Sequence, residues 1–75
     1  MAKRRLKHPE YYAIPAYMIL AGKSYEECAN YLGLNVRTYK EKITGYYDFS
    51  AVQGRLLSTF LGVSQDQIFL TRNVS

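Results

Sequence analysis

Residues 25–45 read YEECANYLGLNVRTYKEKITG, and the fold turns on how that stretch divides. Ser24 followed three residues later by Glu27 is a capping-box pattern, which predicts a helix from Tyr25 with Cys28, Ala29 and Leu32 at the spacing of a buried face. Gly33 ends that helix, because glycine adopts the left-handed backbone of a helix C-terminus without steric cost. Leu34 and Asn35 then re-aim the chain. Asn35 is a suitable N-cap for a second helix from residue 36 to about 44, and Leu34 can staple onto Tyr39. Ala29, four residues before Gly33, supplies the small side chain that a close helix crossing needs. This is the spacing of a helix-turn-helix, whose second helix can seat in a DNA major groove.

Outward from this centre, residues 1–8 are polar and expected to be loose. Pro9 can sit in the first turn of a helix beginning near Glu10, while Pro15 either kinks that helix or opens a shorter one. The shorter helix, from Ile14 or Pro15 to Ala21 with Gly22 as its stop, is the one expected. Beyond Gly45, the loop Tyr46, Tyr47, Asp48, Phe49 leads to Ser50, which forms a second capping-box pattern with Gln53. Val52, Leu56, Leu57 and Phe60 form the expected buried stripe of the following helix, with Gly54 costing it about 1 kcal/mol relative to alanine. Ser64 with Gln67 makes a third box, and Val63 can staple against Ile68 in a last short helix ending about Phe69. The tail LTRNVS either frays or forms a short strand. The sequence therefore predicts an all-α chain of five short helices, a single domain over 9–75 with the helix-turn-helix at 25–45, behind a flexible basic arm at 1–8.

At 75 residues the chain has room for one domain and a single core, and 48% hydrophobic residues argue that it folds. No apolar run reaches the length of a membrane span. The basic start MAKRRLK has no apolar h-region behind it, so a cytoplasmic protein without a secretory signal is expected. Cys28 and His8 are each alone, which excludes an internal disulfide and a four-ligand zinc site. With no nucleophile, base and orienting group, and no glycine-rich phosphate loop, neither an enzyme nor a cofactor nor a small-molecule substrate is expected. The net charge of +4 rests on Lys3, Arg4, Arg5 and Lys7; the remainder of the chain carries six Lys and Arg against six Asp and Glu. That arm is either a disordered tail or a segment that embraces phosphates or enters the minor groove.

Function must then be read from where charges fall on the second helix. At 100° per residue, Tyr39 and Ile43 point inward, Arg37, Glu41 and Thr44 point outward, Lys40 lies at the flank and Val36 at the edge. Arg37 can donate two hydrogen bonds to guanine, and Val36 can touch a thymine methyl. Glu41 either accepts from a cytosine amino group or pairs with Arg37 one turn away; a carboxylate facing phosphates needs an accompanying cation, which favours the pairing. The candidate base-reading set is thus Val36, Arg37, Lys40, Glu41 and Thr44. Thr38 and Lys42 suit phosphate contact, as do Lys23, Ser24 and Tyr25 at the start of the preceding helix, where N–H groups and the helix dipole favour an anion. Tyr46 and Tyr47 either reach the DNA backbone through their hydroxyls or complete the core. A charged face that is merely solvated is the plain alternative for the whole strip.

The stretch from Ser24 to Gly45, with Ala29, Gly33 and Gly45 at their spacing, the segment LGVS and the run RTYKEKITG, resembles the phage Cro and repressor family of helix-turn-helix regulators, also called XRE-like. The resemblance spans residues 14–69, and RTYKEKITG looks like the recognition helix of small regulators of Gram-positive phages and mobile elements. It implies a five-helix domain of the phage repressor DNA-binding type, acting in a bacterial cytoplasm as a transcriptional repressor or Cro-like switch on double-stranded DNA, and as a homodimer. The commonest family pattern has glutamine where Tyr25 stands, a polar residue at Val36 and an aliphatic one at Lys42, with Ile43 here taking over the inward packing. One such helix reads few base pairs, so two copies facing successive major grooves about 34 Å apart on a palindromic operator would supply the missing discrimination. Phe69, Leu70 and Val74 are expected to contribute to the dimer surface. The rival reading is a protein-interaction module, an antirepressor or antitoxin on the same fold, which the balanced charge outside the arm supports.

Overall fold

Four serine or asparagine side chains set where the helices begin. The computed structural model describes residues 6–71, and in it Ser24, Asn35, Ser50 and Ser64 each accept a hydrogen bond from the backbone N–H three residues on. In the three serine-headed cases the Glu27, Gln53 or Gln67 side chain returns the bond to the cap residue's own N–H, so the first turn loses two orphan donors at once. The elements are α1 (Ala13–Ala21), α2 (Tyr25–Leu32), α3 (Val36–Thr44), α4 (Ala51–Leu61) and α5 (Gln65–Ile68), with no strand among the described residues. None of these helices is long and apolar enough to cross a membrane.

α2 packs against both α3 and α4, while α1, α4 and α5 pack against one another. Tyr39, Ile14, Leu57, Ile68 and Cys28 are the largest side chains wholly enclosed between them. Gly33 joins α2 to α3 at φ 74°, and its N–H and that of Leu34 close onto the last carbonyls of α2. The turn is thus a hydrogen-bonded stop rather than a slack linker.

Two expectations need correction. α1 begins at Ala13, earlier than Ile14 or Pro15, and no helix starts near Glu10. Pro15 occupies the first turn, where the missing N–H has no intrahelical partner to lose, so it neither opens nor kinks the helix. In α4 the buried residues are Gly54, Leu57, Ser58 and Leu61, whereas Val52 is 53% exposed and Leu56 and Phe60 lie half-buried at the edge. The cause is Gly54: a Cβ there would stand 2.7 Å from Cζ and 2.9 Å from Cε2 of Phe69, so the ring packs directly on the glycine and turns that side of α4 inward. Ser58 is accommodated in the buried stripe because its hydroxyl donates to the Arg55 carbonyl at 2.9 Å.

Residues 6–11 run as a strap over the end of α3. Lys7 N–H donates to the Gly45 carbonyl at 2.6 Å and Tyr11 N–H to the Ile43 carbonyl at 3.0 Å, filling acceptors that a helix C-terminus leaves open. A Cβ on Gly45 would overlap the His8 carbonyl, so glycine is needed for the strap to lie this close. The imidazole of His8 stacks on the Tyr11 ring, centroids 4.0 Å apart, and its Nε2 donates to the Tyr47 carbonyl at 2.8 Å. Of the expected loose arm, then, residues 6–8 are tied down; Lys3, Arg4 and Arg5 lie outside the described residues, as does most of the LTRNVS tail.

Candidate functional site

α3 presents a strip made of Arg37, Lys40 and Thr44, spaced three and four residues apart and exposed along its length. The helix that carries it is held from below by Tyr39 and Ile43, which are buried, and at its two ends by the Asn35 cap and the strap. Tyr39 is enclosed entirely; its hydroxyl donates to Met18 Sδ at 3.3 Å, and burial pushes its phenol well above the usual range. Burial likewise raises the neighbouring Cys28 thiol.

The sequence-predicted residues fall into three groups. Arg37, Lys40 and Thr44 come together as the exposed strip, with Val36 half-buried at its N-terminal edge. The Arg37 side chain is 84% exposed and its Nε lies 3.8 Å from Glu41 Oε2, while the Glu41 side chain is only 15% exposed. Glu41 therefore sits beside the strip as the partner of Arg37, and Lys40, placed at the flank by the helical wheel, takes the outward position. Thr44, exposed, turns its hydroxyl back to the Lys40 carbonyl at 3.0 Å.

A second group surrounds the strip but already has partners inside the chain. Lys40 Nζ lies 4.9 Å from the centroid of the Tyr25 ring, which in turn meets Tyr39 edge-on, so Tyr25 is brought next to α3. Lys42 Nζ donates to the Asp48 carbonyl at 2.8 Å, and Lys7 lies over the ring of the exposed Tyr47. Tyr46 is half-buried, and the Thr38 N–H is taken by the Asn35 cap.

The third group is Lys23 and Ser24. Lys23 Nζ stands over Phe60 of α4, 4.7 Å from its centroid. At Ser24 the capping box is complete, with the Glu27 carboxylate accepting the Ser24 N–H at 2.9 Å and the Glu27 N–H donating to the Ser24 hydroxyl at 3.0 Å. Those bonds hold the Glu27 carboxyl below its ordinary range. An internal anion thus occupies the position at the head of α2 that the sequence offered to a phosphate.

Two features beside the strip were not singled out in the sequence. A groove of about 260 Å³, lined by Glu10, Pro15, Tyr25, Lys40, Ile43 and Thr44, runs between the start of α1 and α3. Asp48 is the second: its Oδ1 accepts from the Tyr11 hydroxyl at 2.9 Å and from the Phe49 N–H at 2.8 Å, while its carbonyl takes Lys42. One loop residue therefore joins the strap, α3 and the start of α4. The nearest sequence signal for it is an aspartate before a helix cap, which is too common to single out.

Phe69 and Leu70, expected at a dimer surface, part company. The Phe69 ring packs on Gly54 and against Tyr11 and Phe49, with centroids 5.0 and 5.9 Å away, so it is half-buried against its own core, whereas Leu70 is exposed. Val74 lies outside the described residues. No known family model, no curated protein and no solved structure matches the chain.

Proposed function

We propose that this chain is a sequence-specific double-stranded-DNA-binding regulator of transcription that seats α3 in the major groove and represses, or switches, by occupying promoter DNA. The carrying observation is the Arg37, Lys40, Thr44 strip, exposed on a helix whose opposite face and both ends are fixed. A fixed helix matters because a guanidinium reads guanine only when both donors meet O6 and N7 together. Arg37 is the principal reader in this proposal, Glu41 limits its rotamers through the ion pair, and Thr44 and Val36 offer methyl groups to thymine. Lys40, Lys42, Tyr25, Thr38, Tyr46 and Tyr47 border the groove helix and are assigned to the phosphate backbone. Ser24 receives no weight, because Glu27 closes it, whereas Lys23, over Phe60 as Lys40 is over Tyr25, stays among the phosphate candidates.

The test is selection of bound sequences from a random duplex library, followed by Arg37→Ala on the selected site. The variant is expected to lose about 1–3 kcal/mol of discrimination at one base position while its thermal midpoint falls by only about 2–4 °C, since an i,i+4 pair whose arginine is exposed contributes on the order of 0.5 kcal/mol. A library that returns no shared sequence overturns the proposal.

A specific observation favours a second reading. Lys7, Lys23, Lys40 and Lys42 all lean on rings or a carbonyl of their own chain, so a phosphate would have to draw their ammonium groups away from contacts already made. On that reading the same strip meets a protein, as in an antirepressor or antitoxin, and loss of Arg37 changes partner affinity without any DNA preference to lose.

A further inference from the structure

We propose that His8 is a proton-operated clasp, which fastens the strap of residues 6–11 to the end of α3 while its ring carries both protons and slackens it when one is lost. Both ring nitrogens face acceptors. Nε2 lies 2.8 Å from the Tyr47 carbonyl oxygen and Nδ1 lies 2.6 Å from that of Pro9. A carbonyl oxygen can only accept, so the two bonds exist together only in the imidazolium form, in which each nitrogen is a donor. In either neutral tautomer one nitrogen turns a lone pair toward a carbonyl oxygen, and that contact becomes repulsive. The His8 side chain is only 10% exposed, so water has little room to replace the lost bond.

The Asp48 carboxylate, from the loop that follows α3, supplies the opposite charge, with its Oδ1 3.9 Å from Nε2. α3 itself contributes Lys42, whose ammonium is engaged by the Asp48 carbonyl, and the strap contributes Lys7, which lies over the Tyr47 ring, and Glu10, two residues on. Tyr11 stacks on the imidazole at 4.0 Å and donates its hydroxyl to the same Asp48 oxygen; with its phenol pushed up to about 12, it stays uncharged where histidines titrate. Beyond Tyr11 stand the uncharged rings of Phe49 and Phe69. Histidine is the side chain whose charge changes between about pH 5 and 8, and His8 is the sole histidine of the sequence. The closed strap gains two bonds from a fully protonated ring and the unfolded chain gains none, so the clasp holds on the acid side of that interval and weakens as pH rises through it. What slackens is the cover over the Ile43 and Gly45 carbonyls at the C-terminal end of α3. These bonds lie within the chain, so the clasp operates whether or not α3 meets DNA.

Amide hydrogen exchange of the full chain without nucleic acid, at about pH 5.5 and about pH 8, with each rate divided by its intrinsic value at that pH, tests the clasp. Protection of the Lys7 and Tyr11 amides is expected to drop about threefold to tenfold from the lower pH to the higher, while that of the enclosed Tyr39 holds. The imidazole resonances, which can come from no other residue, are expected to show two ring N–H protons at the lower pH and one at the higher. His8→Phe keeps a ring against Tyr11 but has no donor, so its strap amides are expected to be weakly protected at both pH values alike. Equal strap protection at the two pH values in the wild type overturns the proposal, as does a single ring N–H at the lower pH. So does a loss that the Tyr39 amide shares in full, or a His8→Phe variant that keeps the wild type's pH dependence.

Discussion

Gly54 is read one way by propensity and another by packing. A glycine inside a helix costs about 1 kcal/mol relative to alanine, so alanine at 54 would stabilise α4 if nothing else touched the position. The Phe69 ring does touch it, and Phe69 has no ready retreat because Tyr11 and Phe49 stand against its other sides. Gly54→Ala is therefore expected to destabilise the fold by about 1–2 kcal/mol net, measured as a lower urea midpoint, since overpacking a filled site outweighs the propensity gain. Phe69→Leu in the same chain should recover part of that loss by removing the far end of the ring. A stabilised Gly54→Ala variant would mean the ring is free to swing away. Gly54 and Arg37 mark opposite limits of what single residues disclose: one is fixed by an atom fifteen positions away, the other by its place on its own helix.

The same contrast governs the elements. Helix starts were legible because capping is local: Ser24, Asn35, Ser50 and Ser64 each act on a residue three positions on, and each begins its helix where the spacing puts it. The exposed strip of α3 was legible for the same reason, since Tyr39 and Ile43 define the inward side by periodicity alone. The rotation of α4 was not, because Val52 satisfies the periodicity as well as Leu61 does and only the distant Phe69 decides between them. The strap was hidden too: its bonds run from Lys7 and Tyr11 to the distant carbonyls of Gly45 and Ile43, and no pattern within either segment announces the other. Asp48 gives that long-range tie a measurable weight. Asp48→Ala removes acceptors from the Tyr11 hydroxyl and the Phe49 N–H together, for an expected loss of about 1–2 kcal/mol in urea unfolding. Hydrogen exchange should localise the change to the Tyr11 and Phe49 amides; equal protection at both would show that the strap stands without the aspartate.

For the molecule as a whole, the buried phenols set an alkaline limit on stability. The Tyr11 pKa is pushed up to about 12, chiefly by burial and further by the hydrogen bond and negative charge of Asp48, and burial raises Tyr39 as well. In the unfolded chain both phenols lose their protons near pH 10. The folded state therefore holds more protons than the unfolded one in alkali, and the stability tied to that difference is present in full below pH 10 and drains away as pH rises through about 12. Urea midpoints are accordingly expected to fall from pH 10 upward. Absorbance at 295 nm should show Tyr11 and Tyr39 giving up their protons only as far-UV ellipticity is lost. Tyr11→Phe isolates this cause: it lowers the midpoint at pH 8 by deleting the Asp48 bond, yet makes the decline between pH 10 and 12 shallower because one reluctant proton is gone. A variant whose decline is as steep as the wild type's would place the alkaline sensitivity elsewhere than in the strap that secures α3.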